Sequence, residues 1–89
     1  MDRVVTFVGG PYHGVREYRH DVPASIDKPG EGGQLHRYEV WSWFNAGRVH
    51  AARESAVNAT YVLKGMSDSE RDAAIRSLSS PPFVMKLDD

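Results

Sequence analysis

The stretch Gly9-Gly10-Pro11-Tyr12-His13-Gly14 constrains this chain most, because segments that read as strands flank it, Arg3 to Val8 and Val15 to His20. Glycine reaches positive φ at little cost, and proline fixes φ near the value needed at the second residue of a turn. The stretch is therefore expected to fold the chain back into a hairpin. A phosphate-cradling loop also uses glycine and bare amides, but it needs a following helix whose N-terminal amides face the anion. Here proline removes an amide and a strand follows.

The chain has 89 residues and no cysteine, so disulfides, thiolate nucleophiles and cysteine-based zinc sites are absent. A single domain of this size has a thin core. Eleven Lys and Arg stand against twelve Asp and Glu, and the two signs are mixed along the whole sequence. That balance argues against nucleic-acid binding through phosphate neutralisation. The start of the chain enters a strand pattern within a few residues and lacks an apolar run of signal-peptide or membrane-span length. A cytoplasmic protein with no membrane association is expected.

In the first arm of the hairpin, Val4 to Val8 is apolar on both sides, as in a central strand. The second arm alternates, with Arg16, Tyr18 and His20 on one side, and suits an edge. Asp21 to about residue 35 contains Pro23, Pro29, Gly30, Gly32 and Gly33, and reads as an exposed loop with a mobile tip over Lys28 to Gln34. His36 to Phe44 reads as a strand that places Tyr38, Val40 and Phe44 on one face and Trp41 and Trp43 on the other. After a turn at Asn45-Ala46-Gly47, Arg48 to Ser55 and Ala59 to Lys64 are expected as strands. A helical alternative rests on the spacing of Val49, Ala52, Ala56, Ala59 and Leu63, with Gly65 past its end. Ser67-Asp68-Ser69-Glu70 has the form of a capping box, so a helix is expected over about 68–79, burying Ala74, Ile75 and Leu78. Pro81-Pro82 ends it, leaving a tail over about 81–89 whose apolar part is Phe83 to Leu87. The fold class is thus α+β: a small antiparallel sheet of four to five strands with one C-terminal helix.

Four histidines, His13, His20, His36 and His50, invite a metal site with Asp21 or Glu39. No pair has the i, i+4 spacing that places two ligands on one helix face, so no metal or other cofactor is expected. Ser42, Ser55 and Ser67 lack the glycines of a nucleophile elbow. His20 and Asp21, as neighbours on an extended arm, point to opposite faces. A non-enzymatic protein is expected, with no catalytic residues. Tyr38, Trp41, Trp43 and Phe44 supply more apolar surface than one short helix covers, and exposed aromatic residues are enriched at interfaces. The candidate binding residues are Trp41, Trp43 and Tyr12, with Arg16 and Arg37 as charged rim contacts. Homo-oligomerisation is a further use for such a surface.

The order of these features resembles a group of small uncharacterised proteins encoded by actinobacteriophages. The resemblance lies in the strand leading into Gly9 to Gly14, the Val22-Pro23 pair, the tyrosine-containing strand Tyr38 to Trp43 and the capped helix from Ser67. It implies a phage accessory protein that binds a bacterial host protein in the host cytoplasm. The alternatives are a virion component that contacts phage structural proteins, and a small ligand-binding or enzymatic domain using the histidines.

Overall fold

The computed structural model describes residues 3–44 and 57–78. Its elements are β1 (Arg3–Val8), β2 (Arg16–Arg19), β3 (Ser25–Pro29), β4 (Leu35–Phe44), β5 (Asn58–Leu63) and α1 (Asp68–Arg76). The strands form one five-stranded sheet in the order β2-β1-β5-β4-β3. The expected α+β class with one C-terminal helix is what forms.

The opening hairpin forms as expected. β1 pairs antiparallel with β2, Val5 facing Glu17, and a short 3-10 turn over Gly10–Tyr12 joins them. β1 is central and β2 is an edge, matching their two-sided apolar and alternating polar patterns. Gly10 has φ 65, and a Cβ there would lie 2.9 Å from both the Tyr38 hydroxyl and Leu63 Cδ2. Backbone conformation and crowding both select glycine at that position.

Three expectations need correction. The sheet is mixed, because β5 lies parallel to β1, with Val5 opposite Ala59 and Phe7 opposite Tyr61. β1 and β5 are both buried on two faces, and the pairing depends on a long-range choice of neighbour that local patterning does not encode. Second, the segment expected as loop over 21–35 contains β3, which pairs antiparallel with β4 from Ser25–Glu39 to Pro29–Leu35. Its composition hides it: only Ile26 of its five residues is buried, and Pro29 is tolerated because the strand is an edge. Lys28 and Pro29, expected at a mobile tip, belong to that strand.

Third, β4 carries a bulge between Val40 and Ser42. Tyr38, Val40 and Trp43 pair with Leu63, Tyr61 and Ala59, whereas Phe44 pairs with Asn58. Directly opposite residues share a face, so the bulge moves Trp43 onto the face of Tyr38 and Val40 and Phe44 off it. Strict alternation had placed them the other way round.

One face of the curled sheet holds the main core of Val5, Phe7, Val22, Ile26, Tyr38, Ala59 and Tyr61. The Phe7 ring meets Tyr38 edge-on at 5.0 Å and lies 6.0 Å from Tyr61. The Tyr61 hydroxyl donates to the Pro23 carbonyl, tying the approach to β3 onto the core. Curling brings the two edge strands together: Lys28 of β3 reaches Glu17 of β2. α1 packs against β1, and buried Val8 and Leu78 stand outside the main cluster.

The capping box is present in full. Ser67 Oγ accepts from the Glu70 N–H at 3.1 Å, and the Glu70 carboxylate accepts from the Ser67 N–H at 2.8 Å, holding the Glu70 carboxyl below its usual pKa. Ala74 and Ile75 are half-buried, and Leu78, just past the helix, is buried. β5 resolves the strand-or-helix alternative over its own span in favour of strand. The turn at Asn45-Ala46-Gly47, the strand expected over Arg48 to Ser55, His50 and the tail Phe83 to Leu87 lie outside the described residues. Among the described residues no helix is long and apolar enough to cross a membrane.

Candidate functional site

The candidate residues fall at two ends of the sheet. At one end, the Gly9 to Gly14 turn faces the connection from β3 to β4. Tyr12 is held there from three directions. Its hydroxyl donates to the Pro29 carbonyl at 2.7 Å, its backbone N–H donates to the Tyr38 hydroxyl at 3.2 Å, and its ring meets Phe7 edge-on at 6.3 Å. The Tyr38 hydroxyl in turn donates to the Gly9 carbonyl at 2.7 Å. Burial pushes that hydroxyl above the usual tyrosine pKa, consistent with its role as a neutral donor to the turn.

Between these turns lies an open cleft of about 620 Å³, lined by Pro11, Tyr12, Pro29, Gly30, Glu31, Gln34 and His36. Of the candidate residues only Tyr12 lines it. Gly30 lets the His36 ring close in from below, since a Cβ at Gly30 would collide with His36 Nε2. Under Tyr12 the Lys28 ammonium sits 5.1 Å from the Tyr12 ring and 5.5 Å from the Phe7 ring, and it pairs with the Glu17 carboxylate.

Trp41 and Trp43 occupy the far end of β4, roughly 16 and 23 Å along the strand from His36 by strand rise. They keep 37% and 43% of their surface exposed. The Arg71 guanidinium of α1 stacks over Trp41 at 4.7 Å and is itself paired with Asp68 and Asp72. The pairing of β3 with β4 ends at Glu39, so β3 does not extend alongside residues 41–44. The bulge sends the two tryptophans to different faces, so they flank this strand end instead of forming one flat patch.

The two arginines do not join either group. Arg37 pairs with Asp27 directly across the β3–β4 ladder through two hydrogen bonds of 2.9 and 3.3 Å, which lower the Asp27 carboxyl pKa and raise that of the guanidinium. Arg16 is exposed on edge strand β2, opposite Thr6. Tyr12, Trp41, Trp43, Arg16 and Arg37 are therefore not one continuous site.

The histidines separate as well. β2 and β4 are not neighbours in the sheet, so strand pairing does not unite His20 with His36. Among the described residues no group of three or more histidines and carboxylates is placed to hold a metal ion. His13 lies 2.9 Å from Ser77 Oγ, a distance that suits a base and a nucleophile. Its other nitrogen, Nδ1, accepts from the Gly9 N–H at 2.9 Å. The proton of the neutral ring is then on Nε2 and is donated to Ser77, whose own hydroxyl donates to the Ala74 carbonyl at 2.7 Å. In this arrangement the imidazole has no lone pair for the serine proton, and the pair ties the turn to the end of α1.

Sequence reading had missed Tyr38 as the organiser of the turn, the Glu17–Lys28 contact, and the cleft residues Glu31, Gln34 and His36. The two Gly/Pro-rich segments were the available signal for the cleft. Nothing local in the sequence shows that they face each other. No protein-family model, curated protein or solved structure matches the chain.

Proposed function

We propose that this protein is a non-enzymatic interaction module that attaches to another protein through the far end of β4, with Trp41 and Trp43 as its anchors. One observation carries the reading: both tryptophans remain more than one-third exposed, although the chain buries Phe7, Tyr38 and Tyr61 fully. Tryptophan is enriched among residues that dominate binding energy, because it supplies a large rigid surface at low entropic cost. Among the described residues β3 does not pair with residues 41–44, and the bulge at Trp41 interrupts the regular alternation of this strand end. Arg71, stacked on Trp41, supplies a polar border.

The partner in this proposal is a bacterial host protein and the setting is the host cytoplasm, following the resemblance to small phage proteins. Tyr12, at the other end of the sheet, drops out of this surface. Arg16 and Arg37 are accessory contacts at most, Arg37 being already paired with Asp27. The test is affinity capture from bacterial lysate with wild-type protein and with Trp41→Ala/Trp43→Ala, each first shown to be folded. The reading requires a host protein enriched by the wild type and lost with the variant. Equal enrichment by both rejects it.

A further inference from the structure

The cleft between the two glycine-rich turns has a chemistry of its own. We propose that it binds an arginine side chain presented by a partner polypeptide, at a site separate from the tryptophan end of β4.

Shape provides the first argument. Pro11, Pro29 and the Tyr12 ring form stiff apolar walls, and the hydrogen bonds of Tyr12 to Pro29 and Tyr38 fix the ring before any ligand arrives. Prefixed walls reduce the ordering cost of binding. At about 620 Å³ the cleft lies within the range of ligand sites and takes a long side chain with part of its backbone.

Charge provides the second. Among the lining residues Glu31 alone bears a carboxylate, and none is lysine or arginine. Glu31 is exposed, and its carboxylate has no hydrogen bond or ion pair among the described residues. By contrast, Glu17 is taken by Lys28 and Arg19, and Asp27 by Arg37. A carboxylate left open above an aromatic and proline wall favours a cation and repels an anion.

The chain already contains the same recognition in its own structure. The Lys28 ammonium rests over the Tyr12 and Phe7 rings and is completed by the Glu17 carboxylate. Glu17 pairs with Arg19 as well as with Lys28 and so offsets the Lys28 charge in part, and the carboxylate that a second cation meets in the cleft is that of Glu31. Arginine suits this lining better than lysine: a planar guanidinium stacks on aromatic and proline surfaces and carries several donors for a carboxylate and an amide oxygen, the groups that Glu31 and Gln34 bring to the cleft.

The test is an NMR titration of isotope-labelled protein with N-acetyl-arginine amide, against its neutral analogue N-acetyl-citrulline amide. Saturable shifts are expected at the amides of Glu31, Gln34 and His36 with the arginine compound. Glu31→Gln, at an exposed side chain, weakens that binding about two- to fivefold, and Glu31→Lys abolishes it; Trp41→Ala/Trp43→Ala leaves it unchanged. Absence of saturable shifts with the arginine compound overturns the proposal. So does an equal response from citrulline, or from either Glu31 variant when the rest of its spectrum is unchanged.

Discussion

The Glu17 carboxylate on β2 and the Lys28 ammonium on β3 meet across the two outermost strands of the sheet, so an ion pair bridges edges that no backbone ladder between them joins. Burial of Glu17 opposes its ionisation, but the hydrogen bonds and charges of Lys28 and Arg19 together outweigh it and hold its pKa below the usual glutamate value. A lowered carboxyl pKa makes stability present above the unfolded-state value, and that stability is lost as pH falls through the folded-state value. Glu17→Gln is expected to cost about 1–2 kcal/mol at neutral pH. The gap between wild type and variant should narrow as the pH falls below the ordinary glutamate value of about 4.3 and Glu17 takes up its proton. Denaturant melts of both proteins across that range check it; a gap that stays constant contradicts the contact.

Tyr38→Phe removes the one hydroxyl that serves both the Gly9 carbonyl and the Tyr12 N–H. The ring packing on Phe7 survives, but two backbone groups lose their partner. A loss of about 1–3 kcal/mol is expected by denaturant unfolding. Amide exchange at Tyr12 should quicken by more than it does at Ile26, in the same core but away from the turn.

Ser67→Ala deletes the side-chain acceptor for the Glu70 N–H and breaks the reciprocal cap of α1. About 1 kcal/mol of stability should be lost. For a domain of this size that is a fall of roughly 4–8 °C in Tm. An unchanged Tm would mean that packing alone sets the start of the helix.

The opening hairpin and the capped helix were legible because each is fixed by residues close in sequence: glycines and a proline at the turn, a serine and a glutamate at the cap. β3 was not, since a five-residue edge strand with one buried residue and a terminal proline looks like loop until β4 is seen to need a neighbour. The parallel pairing of β1 with β5 joins segments about fifty residues apart and leaves no local trace. A single bulge at Trp41 reversed the faces expected for Trp43 and Phe44, because period-two reasoning fails beyond any inserted residue. At the candidate site the same logic held. The aromatic character of β4 could be read directly, whereas the separation of Tyr12 from the tryptophans depended on strand order, and the pairing of Arg37 with Asp27 on register.

The most direct measurement of the interaction reading is quantitative capture from bacterial lysate by wild type and by Trp41→Ala/Trp43→Ala, both verified as folded by their melting curves. A host protein enriched at least about tenfold by the wild type and reduced to background by the variant, a difference of about 1.4 kcal/mol or more in binding, is the predicted result. Enrichment of no host protein by the wild type, or equal enrichment by both, would contradict it.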